Sequence, residues 1–268
     1  MNQKEHKFTP KGILLDVDGT LINARKEMSL ETVSVLKKIN DSGIFCGVST
    51  SRHYSFIKGY ILPHFSKDSL HITSGGGQIV TSLGKIVWQK LLDQRIVNKL
   101  IQDVEYLGGS VIFGSASKVY CSDSIYKNIL SHPWNIEVGH LGGSENYEIT
   151  LLSIVKINPE IMELVMSTKN IKYWLLKNSS GSQYFDIVAD GVNKLEAAKI
   201  WSKKLGINLN QILAVGDNEN DYEMISGVGY GVAMYNSPKE LQDVAKKVIG
   251  NVEEDSLPEF ITSLLDEK

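Results

Sequence analysis

The sequence predicts an α/β protein with a doubly wound, mostly parallel sheet and an inserted α+β domain. Strand-like and helix-like segments alternate over about the first 80 residues, and the alternation returns over about the last 80. This is the pattern of βαβ units in a parallel sheet. Between them, several short strand candidates follow one another, which is typical of a separate module.

The first part of the chain opens with a buried strand. Ile13, Leu14, Leu15 and Val17 form an apolar run without alternation, which indicates a strand covered on both faces. Ser29 is an N-cap residue, and Gly43 ends the helix that follows it. The later elements predicted here are a strand at 44–49, a helix at 53–60, a strand at 70–73 and a hairpin of 78–81 with 85–88.

The middle and last parts differ in their order of elements. The middle is predicted to contain a helix over 97–107, strands at 110–113, 118–121 and 149–157, a helix over 159–169, and a strand pair at 171–176 and 184–188. The last part is predicted to contain helices at 193–205, 220–225 and 257–265, a short helix after Pro238, and strands at 211–215, 228–233 and 246–249.

Bulk composition narrows the class of protein. The 268 residues carry a net charge of −3, which gives no strong field to recruit nucleic acid or an anionic membrane. The polar start of the chain has no apolar signal core, and two cysteines give no disulfide framework. We therefore expect a cytoplasmic protein, monomeric or homodimeric, whose partner is a small molecule rather than nucleic acid or membrane.

Two carboxylates end the first strand. Asp16 and Asp18 are two residues apart, so on an extended chain their side chains point the same way. They lie at the carboxyl end of the strand, where open α/β sheets place their ligands. Two like charges this close are costly unless a cation neutralises them, and Mg²⁺ suits oxygen ligands. A strand followed by an ordinary polar turn is the alternative interpretation.

Four polar clusters stand at element ends. Besides the first carboxylates, they are Thr50–Ser51–Arg52, Lys194, and the run 217–221 with Asp217, Asn220 and Asp221. Strand ends of one polarity share one edge of a parallel sheet, so these residues are expected to converge on one crevice.

Each cluster also has a simpler interpretation. Thr50 fits a polar strand end, Lys194 a solvated surface lysine, and Asp217 with Asn220 an N-cap pair. Asp221 fits a role in orienting Lys194 or metal-bound water as well as direct metal binding. These interpretations do not explain why all four clusters occur at element ends in one chain.

Together the clusters fit phosphoryl transfer to a carboxylate. Asp16 is the predicted nucleophile, and Asp18 is the predicted acid and base for the leaving oxygen and the attacking water. Thr50, Lys194 and Asn220 are expected to stabilise charge on the transferring group.

The motifs resemble those of the haloacid dehalogenase superfamily. Asp16-Val17-Asp18-Gly19-Thr20 is similar to its first motif, Thr50-Ser51-Arg52 to its second, Lys194 to its third, and the run 216–224 to its fourth. The runs 191–194 and 229–234 resemble the Cof-type branch in particular. Ser51 stands where the second motif commonly has Gly. The triplet 75–77 is Gly-Gly-Gly where the family often has Asn-Gly-Ala, which removes an amide and adds flexibility.

The resemblance implies a Rossmann-like core with a type IIB (C2) cap that closes over the crevice. The spacing from Thr50 to Lys194 exceeds that of one α/β step of about 30 residues, so an insert must follow Arg52. We assign the core to 1–82 and 188–268, and the cap to 83–187. The predicted substrate or phosphate ligands are Val17, Thr50, Ser51, Arg52, Lys194 and Asn220, and the predicted metal ligands are Asp16, Asp18, Asp217 and Asp221.

The resulting hypothesis is a Mg²⁺-dependent phosphatase that works through an aspartyl-phosphate. Its expected substrates are small phosphorylated metabolites, and sugar phosphates are the first candidates. Two alternatives stay open. A phosphomutase or phosphotransferase would use the same residues with a sugar hydroxyl in place of water. A non-catalytic sugar-phosphate sensor would have no need of a nucleophile and an acid.

Overall fold

The structure is a computed structural model that describes residues 8–142, 146–178 and 180–266. The polar start discussed above, residues 1–7, lies outside the described residues. The chain divides into two compact units, Met1–Gly47 with Ala198–Lys268, and Val48–Ala197. The predicted cap, 83–187, falls within the second unit. Across the described ranges, none of the helices has the length and apolar character needed to cross a membrane.

The elements follow one another in a mixed α/β order. In the described part of the chain the strands are β1 Gly12–Leu15, β2 Phe45–Val48, β3 Leu70–Thr73, β4 Gln78–Thr81, β5 Ile86–Gln89, β6 Ser110–Ser115, β7 Lys118–Cys121, β8 Val138–His140, β9 Leu152–Val155, β10 Ile171–Lys177, β11 Gln183–Ala189, β12 Ile212–Gly216, β13 Tyr230–Met234 and β14 Lys247–Ile249. The α-helices are α1 Leu30–Asp41, α2 Tyr54–Ile57, α3 Gln94–Tyr106, α4 Asp123–Leu130, α5 Pro159–Ser167, α6 Lys194–Leu205, α7 Tyr222–Gly227, α8 Lys239–Val244 and α9 Ser256–Asp266.

The first unit is built on a sheet in the order β14-β13-β12-β1-β2. The pairs β1–β12, β12–β13 and β13–β14 are parallel, which confirms the predicted α/β class. Every residue of β1 and β12 is buried, as expected for central strands covered on both faces. Gly12 makes close packing possible here, because a Cβ on it would lie 2.8 Å from the fully buried ring of Trp201.

Local sequence signals set the ends of the helices. The Ser29 side chain accepts from the backbone N–H of Thr32, which confirms the predicted N-cap of α1. Gly43, just beyond α1, has a φ of +74° in the left-handed region that glycine tolerates. The Asn193 side chain accepts from the N–H of Glu196 at the start of α6, and Gly206 follows the end of that helix with a φ of +68°.

The second unit contains a sheet in the order β10-β11-β9-β6-β7-β8 and a smaller sheet in the order β3-β4-β5. The pairs of the larger sheet are antiparallel except β7–β8. Helices α3 and α5 contribute Val97, Leu100, Val104, Ile161 and Val165 to the buried core that includes this sheet. Val97, Leu100 and Val104 recur at three- and four-residue spacing, which places them on one buried face of α3.

Two sequence-based expectations for this unit differ in detail from the structure. The strand at 70–73 was expected to extend the parallel sheet, and the parallel bridge Ser49↔Ile72 joins it in that direction to the end of the preceding strand. The ladder of β3, however, is antiparallel and is formed with β4. The long strand predicted at 149–157 is shortened to β9. The carbonyl of Ile149 lies outside the strand and accepts a hydrogen bond from Leu92 N–H. Lys156 follows the strand with a left-handed φ of +57°, which changes the direction of the chain.

Candidate active site

Three carboxylates of the first unit form a cluster at the ends of neighbouring parallel strands. Asp16 follows β1, and Asp217 follows β12, whose Val215 is aligned with Leu15. Each of Asp16, Asp217 and Asp221 offers an oxygen within 4.8 Å of the others, and within the described residues this is the group of acidic, His or Cys side chains that could hold a metal. Asp16 and Asp221 are buried and Asp217 is half-buried. The sheet thus brings Asp16 and Asp217 together, as the strand-end argument predicts.

The turn after β1 lies against the Asp217 side chain. The Val17 carbonyl accepts from the N–H groups of Leu21 and Ile22 at 2.9 and 3.0 Å, which closes a tight loop around Gly19. Gly19 has a φ of +76°, and a Cβ on it would lie 2.2 Å from Asp217 Oδ2. Only glycine fits both the backbone conformation and the contact. Val17 is fully buried.

Asp18 lies outside the three-carboxylate cluster that the geometry defines. Its Oδ1 is 2.6 Å from Lys26 Nζ, a half-exposed ion pair within the loop that precedes α1. Lys26 has a left-handed φ of +66°. Sequence analysis did not single out Lys26, because it stands in an irregular, polar segment where a lysine carries no signal.

Asp221 also organises the loop that carries Asp217. Its Oδ2 accepts from the N–H groups of Asp217 and Asn218, at 3.3 and 3.2 Å. The Asn218 side chain accepts from Glu219 N–H, so the capping pair of this turn is Asn218 with Asp221 and not Asp217 with Asn220. Gly216 leaves the space that the Asp221 carboxylate needs, because a Cβ there would lie 2.4 Å from Asp221 Cγ. Asn220 is buried.

The donor set of this cluster fits a hard divalent cation. Three carboxylate oxygens are the ligand type that such ions prefer, and a cation offsets the repulsion among the three charges. The two cysteines are unsuited to this role, because burial raises the pKa of Cys46 to about 12 and that of Cys121 to about 11, which keeps both as thiols.

The second predicted cluster follows β2 and belongs to the second unit. Thr50 is buried, and its Oγ1 accepts from Arg52 N–H at 3.1 Å. Backbone bonds fix the turn further, since Ser74 N–H donates to the Arg52 carbonyl and Gly75 N–H to the Thr50 carbonyl, both at 3.0 Å. The Arg52 guanidinium carbon lies 4.8 Å from the centre of the Trp134 ring. This cation–π contact restricts the arginine side chain.

Lys194 begins α6 and is completely buried, so its interpretation as a solvated surface lysine was wrong. The glycine triplet packs against the backbone at this point. Gly76 has a φ of +99°, and a Cβ on it would lie 2.3 Å from the Asn193 carbonyl oxygen. The triplet is buried throughout. It is therefore a packed turn that lets two backbone segments approach, in contrast to the flexibility expected from its sequence.

Sequence analysis missed one buried acid of the second unit. Asp186 lies in β11 with 2% of its surface exposed, and its Oδ1 accepts from Ser153 Oγ at 2.5 Å. Ser51 also donates to it, and the charges of Lys194 and Arg52 act on it. Burial nevertheless raises the pKa of Asp186 to about 6. In the sequence, Asp186 is one polar residue in a strand, which by itself indicates nothing about function.

Comparisons with known proteins identify the family and its relatives. Residues 13–261 match the sequence model of a family described as haloacid dehalogenase-like hydrolase. A 5-amino-6-(5-phospho-D-ribitylamino)uracil phosphatase of Bacillus subtilis (strain 168) is 25% identical over 255 residues, covering 95% of this chain and 94% of that protein. A pyridoxal phosphate phosphatase of Escherichia coli (strain K12) is 25% identical over 277 residues, covering 96% of this chain and 100% of that protein.

Solved structures give the same fold. A haloacid dehalogenase-like hydrolase from Bacteroides thetaiotaomicron superposes with a TM-score of 0.81 at 20% identity, covering 96% of this chain and 100% of that one. The parallel sheet and the acidic cluster at its strand ends define an enzyme of the α/β class whose carboxylates could hold a metal ion. The chain belongs to the haloacid dehalogenase-like hydrolase family. The family generally uses a divalent metal, and the cluster fits one.

Proposed function

We propose that this enzyme hydrolyses phosphate monoesters of small metabolites, sugar phosphates first, with Mg²⁺ and through a phosphoryl group carried on Asp16. The observation that supports this most is the cluster of Asp16, Asp217 and Asp221 at the ends of two adjacent parallel strands. A buried carboxylate beside two others needs a cation, and with one in place it is suited to receive a phosphoryl group.

In the proposed reaction, an Asp16 carboxylate oxygen attacks phosphorus and the bond from phosphorus to the ester oxygen breaks. Asp18 donates a proton to that oxygen as the alcohol leaves. Asp18 then removes a proton from water, whose oxygen attacks the phosphorus of the aspartyl-phosphate and regenerates Asp16. The Lys26–Asp18 ion pair supports the base step, since it orients a half-exposed carboxylate and favours its ionised form.

Asp16, Asp217 and Asp221 would hold the Mg²⁺, with Asp18 as the further carboxylate of the same loop. When bound, the ion supplies positive charge that offsets repulsion between the phosphate and the carboxylates. Gly19 and Gly216 support this assignment, because each leaves room for an acidic side chain of the cluster that a larger residue would displace.

We assign stabilisation of the charge on the transferring group to six residues. Lys194 and Arg52 supply positive charge, Thr50 and Ser51 hydroxyl groups, Val17 a backbone contact and Asn220 an amide. Support comes from the burial of Thr50 and Lys194, and from the hydrogen bond that Thr50 Oγ1 accepts from Arg52 N–H. Preorganised donors of this kind stabilise developing charge without a cost of reorganisation.

The substrate class follows from the relatives. Both curated relatives carry names of phosphatases that act on small phosphorylated molecules, one a ribityl phosphate and the other pyridoxal phosphate. We place the enzyme in the cytoplasm, as a monomer or homodimer. Its two buried, unpaired cysteines support a reducing compartment.

A panel of phosphorylated metabolites, assayed for phosphate release with Mg²⁺ and with EDTA, tests the proposal. We expect release from at least one sugar or cofactor phosphate and its loss with EDTA. Phosphorus NMR with an added sugar acceptor separates the alternatives. A phosphorylated acceptor would identify a phosphotransferase, and binding without any turnover would identify a sensor.

A further inference from the structure

Asp186 occupies an unusual position for an acid. It lies in the middle of β11, directly opposite Ser153 of β9 in the antiparallel register, and only 2% of its surface is exposed. Buried carboxylates are rare unless they are paired, because removing the charge from water is costly. Two serine hydroxyls donate to it, from Ser153 and from Ser51.

The charges around Asp186 come from elements distant in sequence. Arg52 follows β2, Lys194 begins α6, and both act on the Asp186 carboxylate. Their positive charges and the two hydroxyl groups lower its pKa, but burial outweighs them, so the net shift is upward, to about 6. At neutral pH the carboxylate is therefore ionised, while it titrates close to the physiological range.

The Asp186 carboxylate offsets positive charge in this unit. Lys194 is fully buried, and Arg52 is held against Trp134. Two neighbouring cations repel each other, and a buried ammonium tends to lose its proton. The Asp186 anion attracts both cations, favours the charged form of Lys194 and offsets their mutual repulsion.

We propose that Asp186 is a positioning residue of the phosphate-binding part of the site, acting through Ser51, Arg52 and Lys194. This rests on the proposed function of those three residues. Asp186 itself touches neither the phosphate nor the reacting atoms. Its carboxylate holds Ser51 by a hydrogen bond, favours the charged form of Lys194 and attracts the Arg52 guanidinium. Ser153, from the facing strand, orients the carboxylate in turn.

The first test replaces Asp186 by Asn, which keeps the shape and removes the charge. We expect kcat/KM to fall by about tenfold or more at neutral pH, because the cations lose their counter-charge. Inorganic phosphate should also protect the variant less against thermal unfolding than it protects the wild type. Asp186→Glu restores the charge and should recover part of the activity.

The second test remains informative where Asp186→Asn fails to fold. Ser153→Ala removes one hydrogen bond that favours the ionised carboxylate, so the pKa of Asp186 should rise further. The acid limb of kcat/KM against pH should then move to higher pH. Ser110→Ala is the matched control, since Ser110 is also buried in this sheet but bonds to Ser124 Oγ at 2.7 Å. Its pH profile should equal that of the wild type.

An active wild type with an acid limb that Ser153→Ala does not move would overturn the role of Asp186. So would an Asp186→Asn variant that loses stability but keeps wild-type kcat/KM and phosphate protection. A wild type without hydrolysis on any substrate would contradict the proposed function instead. The two failures are thus distinguishable.

Discussion

Each of the two units brings like charges close together, negative charges in the first unit and positive charges in the second. In the first, Asp16, Asp217 and Asp221 place three carboxylates within 4.8 Å, and the structure offers them a site for a cation. In the second, Arg52 and Lys194 act on one buried carboxylate, Asp186. The acidic cluster needs an external ion, whereas the basic cluster contains its own counter-ion. The acidic site is therefore expected to respond to metal removal, and the basic site to pH.

The largest effect should come from the nucleophile of the acidic cluster. Asp16→Asn replaces the nucleophilic carboxylate by a neutral amide of the same size, so we expect kcat to fall by about 10⁴-fold or more. The melting temperature should stay close to that of the wild type. Steady-state kinetics on the best substrate measures this, with the exposed Asp41→Asn as a matched control. Residual Mg²⁺-dependent turnover near the wild-type rate would exclude Asp16 as nucleophile.

The basic cluster should matter less, though still strongly. Lys194→Met removes the buried charge and keeps the length of the side chain, so we expect kcat/KM to fall by about 10²–10³-fold. Inhibition by inorganic phosphate should weaken in parallel. Lys203→Met on the same helix, α6, is exposed and serves as the control. Equal phosphate inhibition in wild type and Lys194→Met would remove this lysine from the phosphate-binding set.

A glycine pair tests the metal dependence of the first unit. Gly19→Ala and Gly43→Ala both force alanine to a left-handed φ, near +76° and +74°, which should cost each variant about 1–2 kcal/mol of stability. Gly19→Ala should lose more, because its Cβ also meets Asp217. Only Gly19 faces Asp217, while Gly43 has open space. We expect Gly19→Ala alone to need about tenfold or more Mg²⁺ for half-maximal activity. Similar Mg²⁺ requirements in both variants would separate Asp217 from the metal.

The smallest expected effect is on the pH dependence of the free energy of unfolding, and it comes from titratable groups of the second unit. Burial lowers the pKa of His71 to about 3 and that of His53 to about 4. Each imidazole binds its proton near pH 6.5 when unfolded but far lower when folded, so stability is lost as the pH falls below 6.5. Asp186 has the opposite effect, because its pKa is raised on folding: its contribution to stability increases as the pH falls from 6 to 3.8.

We expect the histidines to dominate, with a loss of about 2 kcal/mol between pH 6.5 and 4.5. Urea unfolding at a series of pH values measures it, and His71→Gln should flatten the dependence. A wild-type stability that rises on acidification over this range would show that the sign is wrong.

The acidic cluster could be predicted from sequence because its pattern is short-ranged. Asp16 ends an apolar strand, Asp217 ends another, and parallel strands carry such ends to one edge. Lys194 was predicted from its place at the start of a helix and from the family resemblance, but its complete burial carries no local signal. Asp186 escaped notice because its partners come from three other elements, and one polar residue in a strand is ordinary.

The same limit applies to the fold. The class followed from the alternation of elements, and the N-cap Ser29 from local chemistry. The antiparallel pairing of β3 with β4 did not follow from the sequence, because a four-residue apolar strand has the same pattern in a parallel and an antiparallel sheet. The early end of β9 depends on the left-handed Lys156, a residue type that gives no warning of that conformation.

The most direct test of the central claim is to trap the phosphorylated enzyme. Wild-type protein is mixed with substrate and Mg²⁺, quenched in acid within the first turnover, digested and analysed by mass spectrometry. We expect one phosphoryl group on the peptide that contains Asp16, labile at alkaline pH and missing from Asp16→Asn. A phosphoryl group on any other residue, or turnover at full rate with none on the enzyme, would contradict the account.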